Sequence, residues 1–448
     1  MNRQAVVPLY VLACLTMGGA SAAGFVANLL LQIASLALIG WALWRMGRGY
    51  PPRHGRALLG LLALFVAIAL VQLIPLPPQV WTRLPGRTAV ADGYRLLEIA
   101  LPWLPLTLAP DAAVSSVLWL LPAFAVLLGV VVLGAFRARS IAIAIVIVTL
   151  ASIAIGALQV VGGPGAYLYR ITNHGVAVGF FANANHNATL LLTCIPFLAA
   201  LQQTLVQRRG SLRSASAIGL LVGAAYVVIL VGLAINASLA GIGLGVPVAL
   251  GSWLVFGRTG PVIRRALVAA TVLVSLAAMV TIAVGPFGNN LFGEQRTNVA
   301  LSRQTSFALT FQAARTYFPV GSGTGSFQQV YHMQEPLASV GTTFMNHAHN
   351  DWLELLLETG AAGIAFAALF LAWWIARVRA IWRADIHDPF AQAAAIATAT
   401  IMLHSLVDYP LRTAALSAVF AACLGLMAGA RPYIRRSREA STARHLSL

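Results

Sequence analysis

Between Asn346 and Gly363 the sequence reads NHAHNDWLELLLETGAAG, which puts two histidines, two asparagines and three carboxylates at the entrance of an apolar run continuing to Ile375. A histidine with a neighbouring carboxylate is suited to accept a proton near neutral pH. His347 and Asp351, four residues apart, form such a pair if a helix begins over 346–350. Asp351, Glu354 and Glu358 then fall on adjoining faces of its first turns, where negative charge suits the positive helix end. The apolar run has the length of a membrane-spanning helix. Ionisable groups at the entrance of such a helix are costly unless water, partners or a cavity receive them, so the pattern points to proton-transfer chemistry at a membrane face. A metal site is the rival use of His347, His349 and His332. No second ligand cluster follows at zinc-like spacing, and neither a metal nor another cofactor is expected.

The elements that must position these residues are helices. Of the 448 residues, 59% are hydrophobic and only 9% charged, and the mean hydropathy is +0.82, which excludes a soluble domain. Apolar runs near the length needed to cross a bilayer recur at 5–22, 25–44, 57–76, 113–135, 141–161, 186–206, 217–234, 237–255, 266–285, 352–376, 391–407 and 413–430. The expected fold is an all-α polytopic transmembrane bundle of about twelve spans with short helices in a large outer loop. Its divisions are 1–285, about nine spans; an outer loop, 286–350; the C-terminal spans, 351–430; and a basic tail, 431–448.

The net charge of +17 comes from 29 basic residues, all of them arginine. With Met1 on the cytoplasmic side, 21 of these fall in the alternate connections and the two ends: Arg3, the runs near 45–56, 137–139, 208–213, 258–265 and 377–383, and the tail. This is the positive-inside pattern, with both termini cytoplasmic. It reads the basic runs as topology signals and contacts with membrane lipids, not as a nucleic-acid surface. Arg3, the first apolar run and Ala20-Ser21-Ala22 also resemble a secretory signal with its cleavage site; a second span follows at once, and the retained helix is the preferred reading. Cys14, Cys194 and Cys423 lie inside expected spans, against a disulfide framework.

Two outer connections carry six of the remaining eight arginines. The segment 77–112 holds Arg83, Arg87 and Arg95 with Trp81 and Trp103 among prolines, and reads as interfacial. The loop from 286 holds Arg296, Arg303 and Arg315, which topology does not explain because they oppose it. Within it SRQTSFALTFQAARTYF has helical apolar spacing and reads as a surface helix. The GSGTGSF that follows lacks the lysine and the strand of a phosphate loop, leaving a tight turn or a backbone approach to a ligand phosphate. At 183–187, Asn183, Asn185, His186 and Asn187 enter span six, either capping its helix or lining a cavity for sugar hydroxyls.

Taken together these stretches resemble the O-antigen ligase and O-antigen polymerase family of bacterial inner-membrane glycosyltransferases. His349-Asn350, nine further residues, Gly360, two residues and Gly363 match the ligase signature. Gly179–Asn185, Arg303, Pro319–Gly325 and His404–Pro410 are similar to other family stretches, so the resemblance runs from residue 179 to 415. One departure stands at Ser238-Leu239-Ala240-Gly241, where the family often has an arginine in place of Leu239.

The resemblance implies transfer of a glycan from an undecaprenyl-diphosphate donor at the periplasmic face, with inversion and without metal or nucleotide. His349 would be the general base. Arg303 would hold the diphosphate, since a guanidinium fork suits phosphate and leaving-group charge grows in the transition state. Arg170, Arg296 or Arg315 would supply the contact missing at Leu239. His347, Asn350, Asp351, Glu354, Asn183, Asn185 and Asp408 would support the site. The acceptor would be lipid A-core for a ligase, another lipid-linked glycan for a polymerase, or a protein hydroxyl, its choice residing in 77–112 and 286–345. A transporter of lipid-linked glycan is the rival from another class, and internal repeats that would favour it are not evident.

Overall fold

The computed structural model describes residues 2–22, 25–49, 53–208, 212–257, 303–337 and 345–429, with parts of 260–273. Arg296, the basic tail 431–448 and most of the expected span 266–285 lie outside the described residues, as does the side chain of Arg303. The regular structure described is helical except for one antiparallel pair of two-residue strands, β1 (Pro75–Leu76) and β2 (Leu104–Pro105). In chain order the helices are α1 (Val6–Met17), α2 (Val26–Met46), α3 (Arg53–Val71), the short α4 (Pro78–Trp81) and α5 (Thr88–Leu96), α6 (Pro110–Leu128), α7 (Ala138–Gly162), α8 (Ala184–Arg208), α9 (Leu212–Asn236), α10 (Leu239–Phe256), α11 (Arg303–Tyr317), α12 (Phe327–Gln334), α13 (Asp351–Trp382), α14 (Pro389–His404) and α15 (Ala414–Gly429).

The all-α polytopic class is therefore observed. Each expected apolar segment apart from 266–285 is matched by a helix, but among the described residues seven helices are long and apolar enough to cross a membrane: α2, α6 with its π-helical extension to Leu133, α7, α8, α9, α10 and α13. Of the others, α14 is shorter than its apolar run requires because the chain stops it at both ends. Asp388 caps the start of α14 by accepting from Phe390 and Ala391 N–H, and α14 ends at His404, leaving apolar Leu406 and Val407 in a connection. Its 16 residues rise about 24 Å, short of a hydrocarbon core of about 30 Å.

At the centre stands α8, buried along most of its length and packed by α7, α9, α10 and α14. α15, buried on nearly all sides, packs against α1, α6 and α14. Arg377 is buried at the far end of α13, where its Nε and Nη2 donate to the carbonyl of Met427 at 3.1 and 2.7 Å, satisfying one of the carbonyls a helix leaves at its C-terminus. α13 packs against α3 and α11, and these neighbours bring the outer connections to its first turns.

Candidate active site

Asn350 starts α13: its Oδ1 accepts from Leu353 N–H at 3.0 Å while its Nδ2 donates to Leu406 O at 2.9 Å. The helix thus begins at Asp351, later than the 346–350 start the spacing suggested, and the expected His347–Asp351 pair does not form. In the extended loop before the cap, His347 swings over the first turn and donates Nδ1–H to Glu354 Oε1 at 2.9 Å, while Glu354 Oε2 accepts Ala348 N–H at 2.9 Å. Asp351 accepts instead from Ser405 Oγ at 2.8 Å and Leu411 N–H at 3.3 Å.

One guanidinium gathers the three carboxylates. Arg412 lies 3.5 Å from Asp351, 3.4 Å from Glu354 and 3.5 Å from Glu358. Burial pulls the Arg412 guanidinium down, but Glu354, Glu358 and Asp351 more than reverse this and hold it above its usual range. Glu358 also accepts Gly325 N–H at 2.8 Å. This cage joins the glycine-rich loop, the first turns of α13 and the connection 405–413.

His349 belongs to a second group. Its backbone is left-handed, with φ 51°, a conformation that side-chain-bearing residues seldom adopt outside functional or tightly held positions. Its Nδ1 lies 3.8 Å from Asp408 Oδ1, and His186 Nε2 lies 3.6 Å from the same oxygen. The ring of Tyr409 stands among His186, His347 and His349, with centroid distances of 4.8, 4.7 and 4.8 Å. Burial first, and then Asp408, pushes the Tyr409 phenol up to about 12, so it stays protonated across the physiological range. Asn183 Nδ2 and Asn346 Nδ2 reach its hydroxyl at 3.5 and 3.3 Å.

A cavity of about 610 Å³ opens from the Arg412 cage between α3, α6, α13 and α15. Its polar end carries Asn346, His347, Asp351, Glu354, Glu358 and Arg412; its length is walled by side chains such as Leu62, Phe65, Phe124, Leu127, Phe366 and Phe420. Such a shape suits a ligand with a polar head and a long apolar tail.

Residues 224–368, from α9 into α13, match the family model described as O-antigen ligase. None of the curated proteins matches the chain.

The geometry explains the glycines of the O-antigen ligase signature. Gly360 kinks α13 with φ 55° and ψ −134°. A Cβ there would stand 2.2 Å from Pro319 O, because Ala361 N–H reaches that carbonyl at 2.8 Å. A Cβ on Gly363 would meet Thr359 Oγ1 of its own helix. The glycines of 321–325 serve packing as well. Ser322 and Gly323 N–H donate to the Leu357 and Glu358 carbonyls, both at 2.9 Å. Thr324 N–H donates to Gln72 Oε1 at 2.7 Å, and Gly325 N–H is taken by Glu358. These amides are turned inward, so the loop is a tight turn and does not offer them to a phosphate. Buried Gln72, at the end of α3, also donates to Glu358 O at 3.0 Å and ties the N-terminal helices to the kink.

Of the residues the sequence singled out, His347, Asp351 and Glu354 line the cavity, and His349 and Asp408 stand together, joined to His347 through the ring of Tyr409. Asn350 is a cap. Asn183 accepts Asn185 N–H at 2.8 Å at the start of α8, and Asn185 accepts from Ser238 Oγ at 2.7 Å, so both organise helix ends and neither lines the cavity. Arg170 and Arg315 are exposed and stand outside the cavity wall. Arg303 opens α11, one turn before Ser306, whose Oγ reaches Ala348 O at 3.4 Å. Sequence reasoning missed Arg412, Glu358 as its partner, Gln72 and His186 as a neighbour of Asp408. The available signal for Arg412 was its position on the arginine-poor side, shortly after Asp408.

Proposed function

We propose that the protein is a glycosyltransferase that moves a glycan from undecaprenyl diphosphate to a lipid A-core hydroxyl at the periplasmic face of the inner membrane. The single observation that carries this is the placement of His347, paired with Glu354, at the polar end of a long apolar cavity, with His349 and Asp408 next to it across the ring of Tyr409. The cavity holds the isoprenoid tail and keeps the diphosphate at the level of the histidines. The arginine distribution supports cytoplasmic termini and a periplasmic site.

His349 takes the proton from the acceptor hydroxyl as that oxygen attacks the anomeric carbon from the side opposite the leaving group, which inverts the centre. The bond from carbon to the diphosphate oxygen breaks, and undecaprenyl diphosphate departs with the electron pair. Asp408 stabilises the imidazolium that forms. Arg412, already surrounded by three carboxylates, is a poor cradle for a diphosphate; Arg303, a turn from Ser306, is the better donor contact. No step calls for a metal.

The test is release of undecaprenyl diphosphate by purified protein supplied with a lipid-diphosphate glycan and lipid A-core. His349→Ala should cut release by about 100-fold or more; release at the wild-type rate would overturn the base assignment. A deletion strain that retains full polymer unattached to lipid A-core agrees with the ligase reading, whereas one showing single repeat units only makes the protein a polymerase. Movement of lipid across liposomes without any release would make it a transporter.

A further inference from the structure

The buried His186 has no part in the chemistry proposed above, yet it faces the same carboxylate oxygen as the proposed base. Asp408 Oδ1 lies 3.6 Å from His186 Nε2 and 3.8 Å from His349 Nδ1, and it also accepts Tyr409 N–H at 2.8 Å. Tyr409 stands edge-on to both imidazoles, with interplanar angles of 84° and 79°, which sets the tilt of each ring toward the carboxylate. His186 and Asp408 are each 1% exposed, whereas His349 is 20% exposed. Water therefore reaches the base far more readily than the carboxylate or the second histidine.

One negative charge cannot fully stabilise two imidazolium ions placed on either side of it, since each favours its own charged form through the same oxygen. We propose that His186 is a positioning residue for His349: its ring packs within 3.6 Å of Asp408 Oδ1, on the same oxygen that lies 3.8 Å from His349, so the two histidines compete for one carboxylate and the proton affinity of His349 depends on the charge of His186. The proton accepted from the acceptor hydroxyl then rests on His349 and returns to water from there, with no transfer onto the enclosed His186. The other titratable groups facing this cluster among the described residues are Tyr409 in the connection after α14, His347 with Glu354 at the start of α13, and His404 at the end of α14, whose Nδ1 pairs with Thr189 Oγ1 of α8 at 2.8 Å. α10, which also packs on α8, presents no charged residue.

This inference rests on His349 as the base, and its test needs no glycan. Full-length protein in nanodiscs is treated with diethyl pyrocarbonate, which acylates neutral imidazole, and the rate at His349 is followed against pH by mass spectrometry. The wild type should titrate in a broad, two-step curve. In His186→Gln, which keeps a side-chain donor but cannot ionise, the His349 curve should become a single step and move to higher pH. In Asp408→Asn it should move about one pH unit lower. His186→Asn provides the same comparison if the glutamine variant does not fold. A His349 curve unchanged or lowered by the His186 replacements would overturn the sharing of Asp408. Undiminished glycan release by His349→Ala would instead overturn the base assignment, so the two failures are distinguishable.

Discussion

His347 donates Nδ1–H to Glu354 across seven residues of chain at 2.9 Å, and the same Glu354 oxygen lies 3.4 Å from Arg412. The carboxylate thus couples the histidine loop to the connection before α15, and the Arg412 guanidinium faces Asp351, Glu354 and Glu358 together. Arg412→Met leaves three enclosed carboxylates facing one another and should destabilise the fold by about 3–5 kcal/mol. Arg412→Lys should recover only part of this, because an ammonium is a point charge without a planar fork. Denaturation of the detergent-solubilised protein measures both.

Gly360 and Gly363 belong to one signature but should not respond alike. Gly360→Ala imposes a left-handed conformation on a residue with a Cβ, at about 1–3 kcal/mol, and drives that Cβ into the Pro319 carbonyl. Gly363→Ala clashes with the Thr359 hydroxyl, which can rotate, and otherwise makes only close contacts of 3.1 Å with Thr359 Cβ and 3.2 Å with the Leu355 carbonyl. Melting temperatures should therefore drop sharply for the first variant and slightly for the second, and equal losses would contradict the packing described.

The raised phenol of Tyr409 gives the protein an alkaline limit. Because the folded state holds this proton more tightly than the unfolded chain, the stabilisation is complete below pH 10 and is lost as pH rises toward 12. From pH 10 to 11 the wild type should lose about 1 kcal/mol relative to Tyr409→Phe. Paired denaturation curves at these two pH values would show the difference.

A tail in the apolar cavity makes donor chain length a readout. Ala123 lies on the cavity wall in α6, and Ala123→Trp should fill part of the channel. The KM for a full polyprenyl donor should rise about tenfold, equivalent to 1.4 kcal/mol of lost binding, with kcat nearly unchanged. A short-chain donor should be affected much less, and equal effects on both would place the tail elsewhere.

Much of this molecule is written in its hydropathy. Apolar run lengths located the helices because a membrane selects for local composition, and the arginine spacing supplied an orientation for the same reason. The signature around His349 was legible because the proposed base, the cap Asn350 and the kink at Gly360 lie within one short stretch of the chain. Span lengths were less so, since Asp388, Pro389 and the turn after His404 trim helices whose apolar residues run on. Beyond this, the tertiary structure decided which charges meet. Arg412 reaches Asp351, 61 positions earlier in the chain, only because the connection 405–413 folds back over the start of α13, and His186, His349 and Asp408 come from three separate elements. Pairings of that kind depend on the packing of α8, α13 and α14, and no periodicity along the chain encodes them. The sequence by itself determined the helices and the residues able to do chemistry; packing determined that Glu354, not Asp351, holds His347, and that Asp408 serves two histidines.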